Sequence, residues 1–434
     1  MMKRRVLVWA VLLAAAVVAQ GCARQGGGGA EPSAAASPTP AAAAAGPALV
    51  VREVESPAGP ETREPELSVG AGGRVLMSWV EKTGGRRYAL RFASREAAGW
   101  SEVRTAAEGE NWFVNWADFP SVVELSDGSL AAHWLVKSGS GTYAYDVNVS
   151  RSADGGRTWG ASVVPHTDRT QTEHGFVSLL ALPGGRLGAV WVDGRATEDV
   201  KASHDEEAPL PVSMQLRYAE VGGDGRLSDE ALLDERICEC CQTSAALTSE
   251  GPVAVYRDRS EREVRDTYLV RRPAAGWSAP RAVGADDWQV NGCPVNGPSV
   301  AADGRRVAVA WFTGEGDRPR VNVAFSDDAG ATFGEAVRAD DGDAVGRVDV
   351  VLLADGSALV CWMSGASGAG AVKARRVARA GAAGPVAVVA QADVSRSGGF
   401  PRAARSGDTV YFAWTQFGKP PRVRTAAADV SAFK

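Results

Sequence analysis

The chain has 434 residues, of which 45% are hydrophobic and 23% charged, with 50 glycines and 22 prolines. It is long enough to bury a large core and too hydrophobic to be a disordered polymer; the length allows two or three domains or one closed all-β ring. A formal charge of -5, with 47 basic and 52 acidic side chains and no long Lys/Arg tract, argues against nucleic acid as a partner.

Lys3, Arg4 and Arg5 open the chain, Val6 to Ala19 form a short apolar run, and Gly21-Cys22 closes it. Residues 1–21 resemble a bacterial lipoprotein signal peptide. The resemblance implies cleavage before Cys22, lipidation of that residue, and a lipid anchor holding the protein to a bacterial membrane on the periplasmic side of the cell envelope. Residues 22–47, rich in Gly, Ala, Pro and Ser, read as a disordered tether.

From residue 48 to 434 the chain repeats itself. A Gly-containing turn, a strand-like run and an aromatic recur as GGRVLMSW (72 to 79), DGSLAAHW, GGRLGAVW, EGPVAVY, DGRRVAVAW, DGSALVCW and SGDTVYFAW, ending at residues 79, 134, 191, 256, 311, 362 and 414. Separations of 51 to 65 residues are too large for hairpins and suit a four-stranded propeller blade. A strand precedes each turn, as at 121–125 and 176–180. A third follows the aromatic, as at 88–93, 146–150, 215–219, 267–271 and 320–325, and a fourth is often opened by an aromatic, as in WSEVRT, WGASVV, WSAPRAV and FGEAVR.

The seventh unit lacks an outer strand after residues 422–424, and the segment 48–54, ALVVREV, has no other partner. The expectation is an all-β single propeller of seven blades, closed by that N-terminal strand so that no inner edge stays unpaired. A six-bladed ring and a pair of β-sandwiches are the alternatives.

Two turns, Ser152 to Trp159 and Ser326 to Phe333, fit S-x-D-x-G-x-T-[WF]. Asp154 and Asp328 can accept backbone N–H bonds there, and Gly156 and Gly330 can supply a positive φ. These turns resemble the Asp-boxes of the sialidase, or bacterial neuraminidase repeat, superfamily. The resemblance implies a propeller with the boxes on outer turns, away from the ligand mouth, so neither Asp154 nor Asp328 is read as catalytic.

In a meander blade, the loop leading into the innermost strand and the loop joining the second and third strands open on one side. The unusual residues collect in those loops, whereas the opposite turns are plain DG and GG pairs. Candidate ligand-binding residues are Trp112, Trp116, His174, Arg195, Arg257, Asp266, Trp288, Asn291, Asn296, Arg347 and Arg402. Asp118, Asp258 and Asp349 are candidate catalytic carboxylates.

The sialidase resemblance implies three arginines on a sugar carboxylate, a Tyr activated by Glu, and an Asp acid/base. The family's first arginine usually stands in Arg-Ile-Pro, but here the matching segment is Asp118-Phe119-Pro120. A carboxylate there would repel an acidic sugar. Arg257, Arg347 and Arg402 remain as an anion site, and Tyr256 or Tyr268 with Glu261 or Glu263 as a nucleophile pair. The leading reading is a propeller that binds a glycan or other small polar ligand at its axial mouth, with another envelope protein as a further partner. The alternatives are an exo-sialidase-like glycoside hydrolase and a thiolate metal-binding propeller.

Cys238, Cys240, Cys241 and Cys293 fall in the loops leading into two neighbouring blades, while Cys361 reads as a buried apolar side chain. Disulfides are the first expectation for an extracytoplasmic protein, one of them joining the C-x-C-C run to Cys293. The rival is a Cu or Zn site on these four thiols with His174 as a nitrogen ligand. His133 is expected to be positioned by blade packing, and His166 and His204 to be exposed.

Overall fold

Apolar residues alternate with polar ones on the outer strands and run almost unbroken on the second strands, the pattern of sheets packed on both faces. A computed structural model of the chain describes residues 51–198, 213–365 and 370–434, within a compact unit Leu49–Lys434. The expected signal peptide and tether, with Cys22, and His204 lie outside the described residues.

Seven antiparallel sheets follow one another. Blade 1 comprises Thr62–Val69, Val75–Gly84, Arg87–Glu96 and an outer strand Arg104–Gly109; blade 2 comprises Ser121–Glu124, Leu130–Lys137 and Tyr145–Ser152. Blade 3 runs His174–Ala181, Leu187–Asp193, Met214–Val221 and Leu227–Ile237, and blade 4 runs Ser244–Thr248, Gly251–Arg257, Thr267–Arg271 and Arg281–Gly284. Blade 5 holds Ser299–Asp303, Arg306–Thr313, Arg320–Ser326 and Val337–Arg338; blade 6 holds Ala344–Leu352, Ala358–Ser364, Ala371–Val377 and Ala387–Gln391. Blade 7 is built from Arg402–Ser406, Thr409–Gln416 and Arg422–Asp429, and its outer strand is Arg52–Val54. Arg52 lies opposite Ala427 and Val54 opposite Thr425, so the N-terminal strand closes the ring as expected.

Seven buried apolar clusters join successive blades, the last joining blade 7 to blade 1 through Ala404, Ala413 and Val423 against Met77 and Trp79. This count excludes six blades, and a pair of sandwiches would give two such cores. Trp79, Trp191, Trp311 and Trp362, four of the repeated aromatics, are fully buried. Truncating any one of them would cost about 3–5 kcal/mol.

Blade 2 departs from the pattern. Its expected fourth strand is reduced to one bridge, Val163 opposite Val149, because Pro165 offers no N–H and the chain turns in to bury His166.

The two S-x-D-x-G-x-T turns are self-contained. Asp154 Oδ1 accepts from the Arg157 and Thr158 amides, and Asp328 Oδ1 from the Thr332 amide. Gly156 and Gly330 have φ of 84° and 79°. Trp159 packs edge-on against Phe92 of the preceding blade, with ring centroids 6.0 Å apart.

The mouth end differs in backbone as well as sequence. Innermost strands slip register between Arg63 and Glu66, Gly175 and Ser178, and Gly346 and Asp349. Each bulge carries a non-glycine residue at positive φ: Glu64 at 55°, Phe176 at 51° and Arg347 at 55°. Such residues cost about 1–3 kcal/mol each, and bulges re-aim side chains at the rims of sheets and next to active sites.

Candidate functional site

Four consecutive blades each bring one acid to the mouth: Glu64, Asp118, Glu173 and, from the loop leading into blade 4, Glu239. Asp118 Oδ1 accepts from the Phe176 amide at 2.8 Å, and a Cβ at position 175 would lie 2.1 Å from its other oxygen, which requires Gly175. The Tyr145 hydroxyl lies 2.7 Å from Glu173 Oε1 and 3.2 Å from Asp118 Oδ2. One phenolic proton cannot serve both carboxylates, so a second proton must reside on an acid.

Burial supplies the reason those acids hold protons. It pushes the Asp118 carboxyl up to about 7, against the lowering effects of the Phe176 amide and Tyr145 hydroxyl. It pushes Glu173 up to about 8 against its bond from Tyr145, with the neighbouring charges of Asp118 and Glu239 adding to the rise. Burial also raises Glu64 well above the usual carboxylate range, opposed by Arg63, and raises Glu239, opposed by Arg265 and Arg259. Glu64 is 3% exposed, and its Oε2 has no hydrogen-bond partner. It lines a recess of about 380 Å³ together with Arg63, Asn115, Trp116, Arg396 and Thr415. Tyr145 is fully buried, its ring stacked on Phe113 at 3.9 Å, whereas Glu173 is partly open.

Several expected site residues are spent on holding blades together. Asp349 accepts from Ser299 Oγ at 2.7 Å and from the Ala403 amide at 2.8 Å, and Asn296 Oδ1 accepts from the Arg347 amide at 2.7 Å. The Arg347 guanidinium donates to the carbonyls of Ser395, Gly399 and Val394 and lies 4.7 Å from the Trp116 ring centre. Arg402 pairs with Glu66 at 2.7 Å and covers Phe119. Arg257 donates to the Asn296, Arg265 and Phe312 carbonyls and sits over Trp288. The structure therefore does not assemble Arg257, Arg347 and Arg402 into a free anion site.

A second cluster lies between blades 2 and 3. His174 Nε2 is 3.1 Å from Asp168 and its Nδ1 is 3.2 Å from the Tyr145 carbonyl. Burial opposes its charge, but Asp146, Asp168 and Asp193 outweigh burial and hold the ring up to about 9. His166, expected to be exposed, is instead buried, stacked on His174 at 3.8 Å and bonded to Asp168 at 2.8 Å. Arg195 closes the group with bonds to both Asp193 oxygens and an ion pair to Asp168 at 3.1 Å. His133, as expected, is fixed by packing, 2.9 Å from Ser121 Oγ.

The cysteine run folds as a tight turn at the end of Leu227–Ile237. Cys238 Sγ lies 3.2 Å from Cys241 Sγ and 3.8 Å from Cys240 Sγ, and the three sulfurs are within 4.8 Å of one another. The expected disulfides are not formed: all five described cysteines are free, and a sulfur–sulfur bond needs about 2.05 Å. Cys293 is exposed, 3.9 Å from Glu239 Oε1, and Cys361 is buried as expected. The three clustered sulfurs form an arrangement able to hold Cu or Zn. The His174 ring nitrogens are taken by Asp168 and the Tyr145 carbonyl, which leaves none aimed at the thiols.

The remaining expected residues lie farther along the rim. Burial, with Asp234 adding, pushes Asp258 up to about 7, and Asp266 accepts from the Asp287 and Trp288 amides. Tyr256 bonds to Asp234 rather than to Glu261 or Glu263, and Glu263 is held by Arg259 and Arg265. Trp112 stacks on Trp134, and Asn291 is exposed. Sequence reasoning missed Glu64, Tyr145 and Glu173. The one local signal was Gly175, beside the bulge that packs Asp118 against Tyr145.

No protein-family profile matches the chain, and no curated protein matches it. Solved structures share its fold at low identity. The polysaccharide lyase Uly1 is 11% identical over 85% of this chain and 90% of its own, with a TM-score of 0.51. The Hadza microbial sialidase Hz136 is 15% identical over 81% and 75%, with a TM-score of 0.46. A protein of unknown function from Dyadobacter fermentans is 14% identical over 88% and 97%, with a TM-score of 0.48. These similarities concern the fold.

Proposed function

We propose that this propeller binds a hydroxylated, glycan-type ligand at its axial mouth. The observation that carries the reading is the run of four acids from blades 1 to 4, all pushed toward the protonated state, beside a recess lined by Trp116, Asn115 and the unpartnered Glu64 carboxyl. A neutral carboxyl both donates and accepts hydrogen bonds without carrying a desolvated charge, which suits sugar hydroxyls. The half-buried Trp116 offers an apolar surface to a sugar ring. Arg257 and Arg347 are committed to backbone carbonyls, so the cations that line the recess are Arg63 and Arg396, and we take a neutral sugar as the first ligand to test.

A second reading, glycoside hydrolysis, is favoured by one group. Glu173 is partly open and carries its proton at neutral pH, as a general acid must. Tyr145 cannot be the nucleophile while fully buried.

Calorimetric titration with neutral and uronate oligosaccharides tests the proposal. A neutral oligosaccharide should bind, and Trp116→Ala should weaken it at least tenfold, about 1.4 kcal/mol. No binding across the panel, or binding indifferent to Trp116, would overturn it; turnover lost in Glu173→Gln would favour hydrolysis. We further propose that Cys22 carries a lipid anchor in a bacterial envelope. Cys22→Ser should release the protein from the membrane fraction, and unchanged fractionation would defeat that part.

A further inference from the structure

The C-x-C-C turn brings three cysteine sulfurs within 4.8 Å of one another at the mouth. Cys238 and Cys241 are buried and Cys240 is half-exposed, so the cluster has a floor and an opening. Three sulfurs around one ion at metal–sulfur distances of about 2.3 Å stand roughly 4.0 Å apart; the 3.8 Å separation is near that, and the 3.2 Å one has to widen by less than an ångström on binding.

The surroundings are those of a thiolate site. Arg265 is 1% exposed, and its Nη1 lies 3.1 Å from Cys238 Sγ and 3.0 Å from Glu239. N–H groups aimed at sulfur orient and stabilise ligating thiolates.

We infer that Cys238, Cys240 and Cys241 bind a single monovalent copper ion through three sulfurs, with Arg265 positioning Cys238. The choice of ion follows from ligand number and softness. Structural zinc takes four ligands, whereas only Cys238, Cys240 and Cys241 among the described residues form a group of sulfurs within 4.8 Å of one another; the exposed Cys293 approaches Cys240 from outside that group, and the His174 nitrogens are committed. Soft thiolates select Cu(I). Binding is a ligand exchange without electron transfer: the ion enters as Cu(I) from a chelator, and each thiol that ligates it releases its proton to solvent. The copper site adjoins the glycan mouth at Glu239, but its readouts follow the metal and the thiols alone, so either proposal can fail without the other.

The test is an anaerobic titration of the reduced protein with Cu(I) delivered by a chromophoric chelator. One ion per chain is expected, with a thiolate-to-copper absorption band. Cys240→Ser, at the half-exposed ligand, should weaken binding at least a hundredfold, and Cys293→Ser should leave the stoichiometry at one. As a measurement that needs no variant, Cu(I) should protect Cys238, Cys240 and Cys241 from alkylation in the native protein while Cys293 stays reactive. The inference is overturned if copper protects none of the three. It is equally overturned if Cys293→Ser abolishes binding, or if Zn(II) displaces Cu(I) stoichiometrically at equal concentration.

Discussion

The two ends of the propeller handle polar atoms in opposite ways. At the outer-turn end, the Asp154 and Asp328 carboxylates of the S-x-D-x-G-x-T turns are spent within their own loops. Asp328 accepts from the Thr332 amide and hydroxyl, and the neighbouring Asp327 pairs with Arg379. A recess of about 590 Å³ lies there, larger than the one at the mouth, but two of its acids, Asp327 and Asp328, are paired and the third, Glu335, is exposed to water. At the mouth, Glu64 has an unpartnered oxygen, Asp118 and Glu173 share one tyrosyl hydroxyl, and three sulfurs face each other. Size of cavity is therefore a poor guide to the working end; unsatisfied chemistry is a better one.

The comparison also divides the mouth itself. The His166–His174 cluster looks catalytic by composition, yet Asp168 alone accepts from both rings, Thr170 and Arg195. It is closed around Asp168, although His166 Nε2 and Asp146 Oδ1 keep no hydrogen-bond partner, and we assign it to stability.

The largest expected effect separates the closed cluster from the open one. Asp168→Ala would leave two imidazoles and a guanidinium without their common acceptor, costing about 3–5 kcal/mol in denaturant unfolding. Glu173→Gln should leave the midpoint unchanged or raised, because it removes a buried acid, while weakening glycan binding. The reverse pattern would exchange the two assignments.

Deleting residues 51–54 should be the next most damaging change, because it uncovers the Arg422–Asp429 edge. The expected result is a lower melting temperature and aggregation, and a truncation that melts like the intact protein would contradict closure of the ring.

Smaller effects are expected from pH. His174 is raised from its ordinary value to about 9, so its contribution to stability is complete below about 6.5 and is lost as pH rises through 9. His174→Gln should flatten that alkaline decline. Asp118 and Glu173, raised to about 7 and 8, hold extra protons in the fold, so their part of the stability falls from about pH 4 until those values are passed. Glycan affinity should fall over the upper part of that range, as charge appears in the mouth. The smallest effect is expected from Asp328→Asn, which should lower the melting temperature slightly and leave glycan affinity unchanged.

The ring was legible in the sequence because each blade repeats a turn and an aromatic at near-constant spacing, and because 48–54 had no other partner. The outer turns were legible too, since their function is local: Asp, Gly and Thr at fixed offsets define the bonds they make. The mouth was less so. Arg347 and Asn296 stand in the right loops, but whether a side chain faces a ligand or a neighbouring carbonyl depends on bulges such as Gly346–Asp349, which carry no fixed sequence code. Glu64 and Tyr145 were missed for the same reason. A positive φ at Glu64 and full burial of Tyr145 are products of inter-blade packing, not of local pattern. The thiols were legible as a cluster, but their bonding state was not.

The most direct test of the account compares one residue from each recess. Trp116→Ala at the mouth and Arg379→Ala at the outer turns should be assayed side by side for affinity toward the neutral oligosaccharide bound by the intact protein. The account predicts at least a tenfold loss for Trp116→Ala and no change for Arg379→Ala. Loss of affinity in Arg379→Ala with Trp116→Ala unaffected would place the ligand at the opposite end and contradict it.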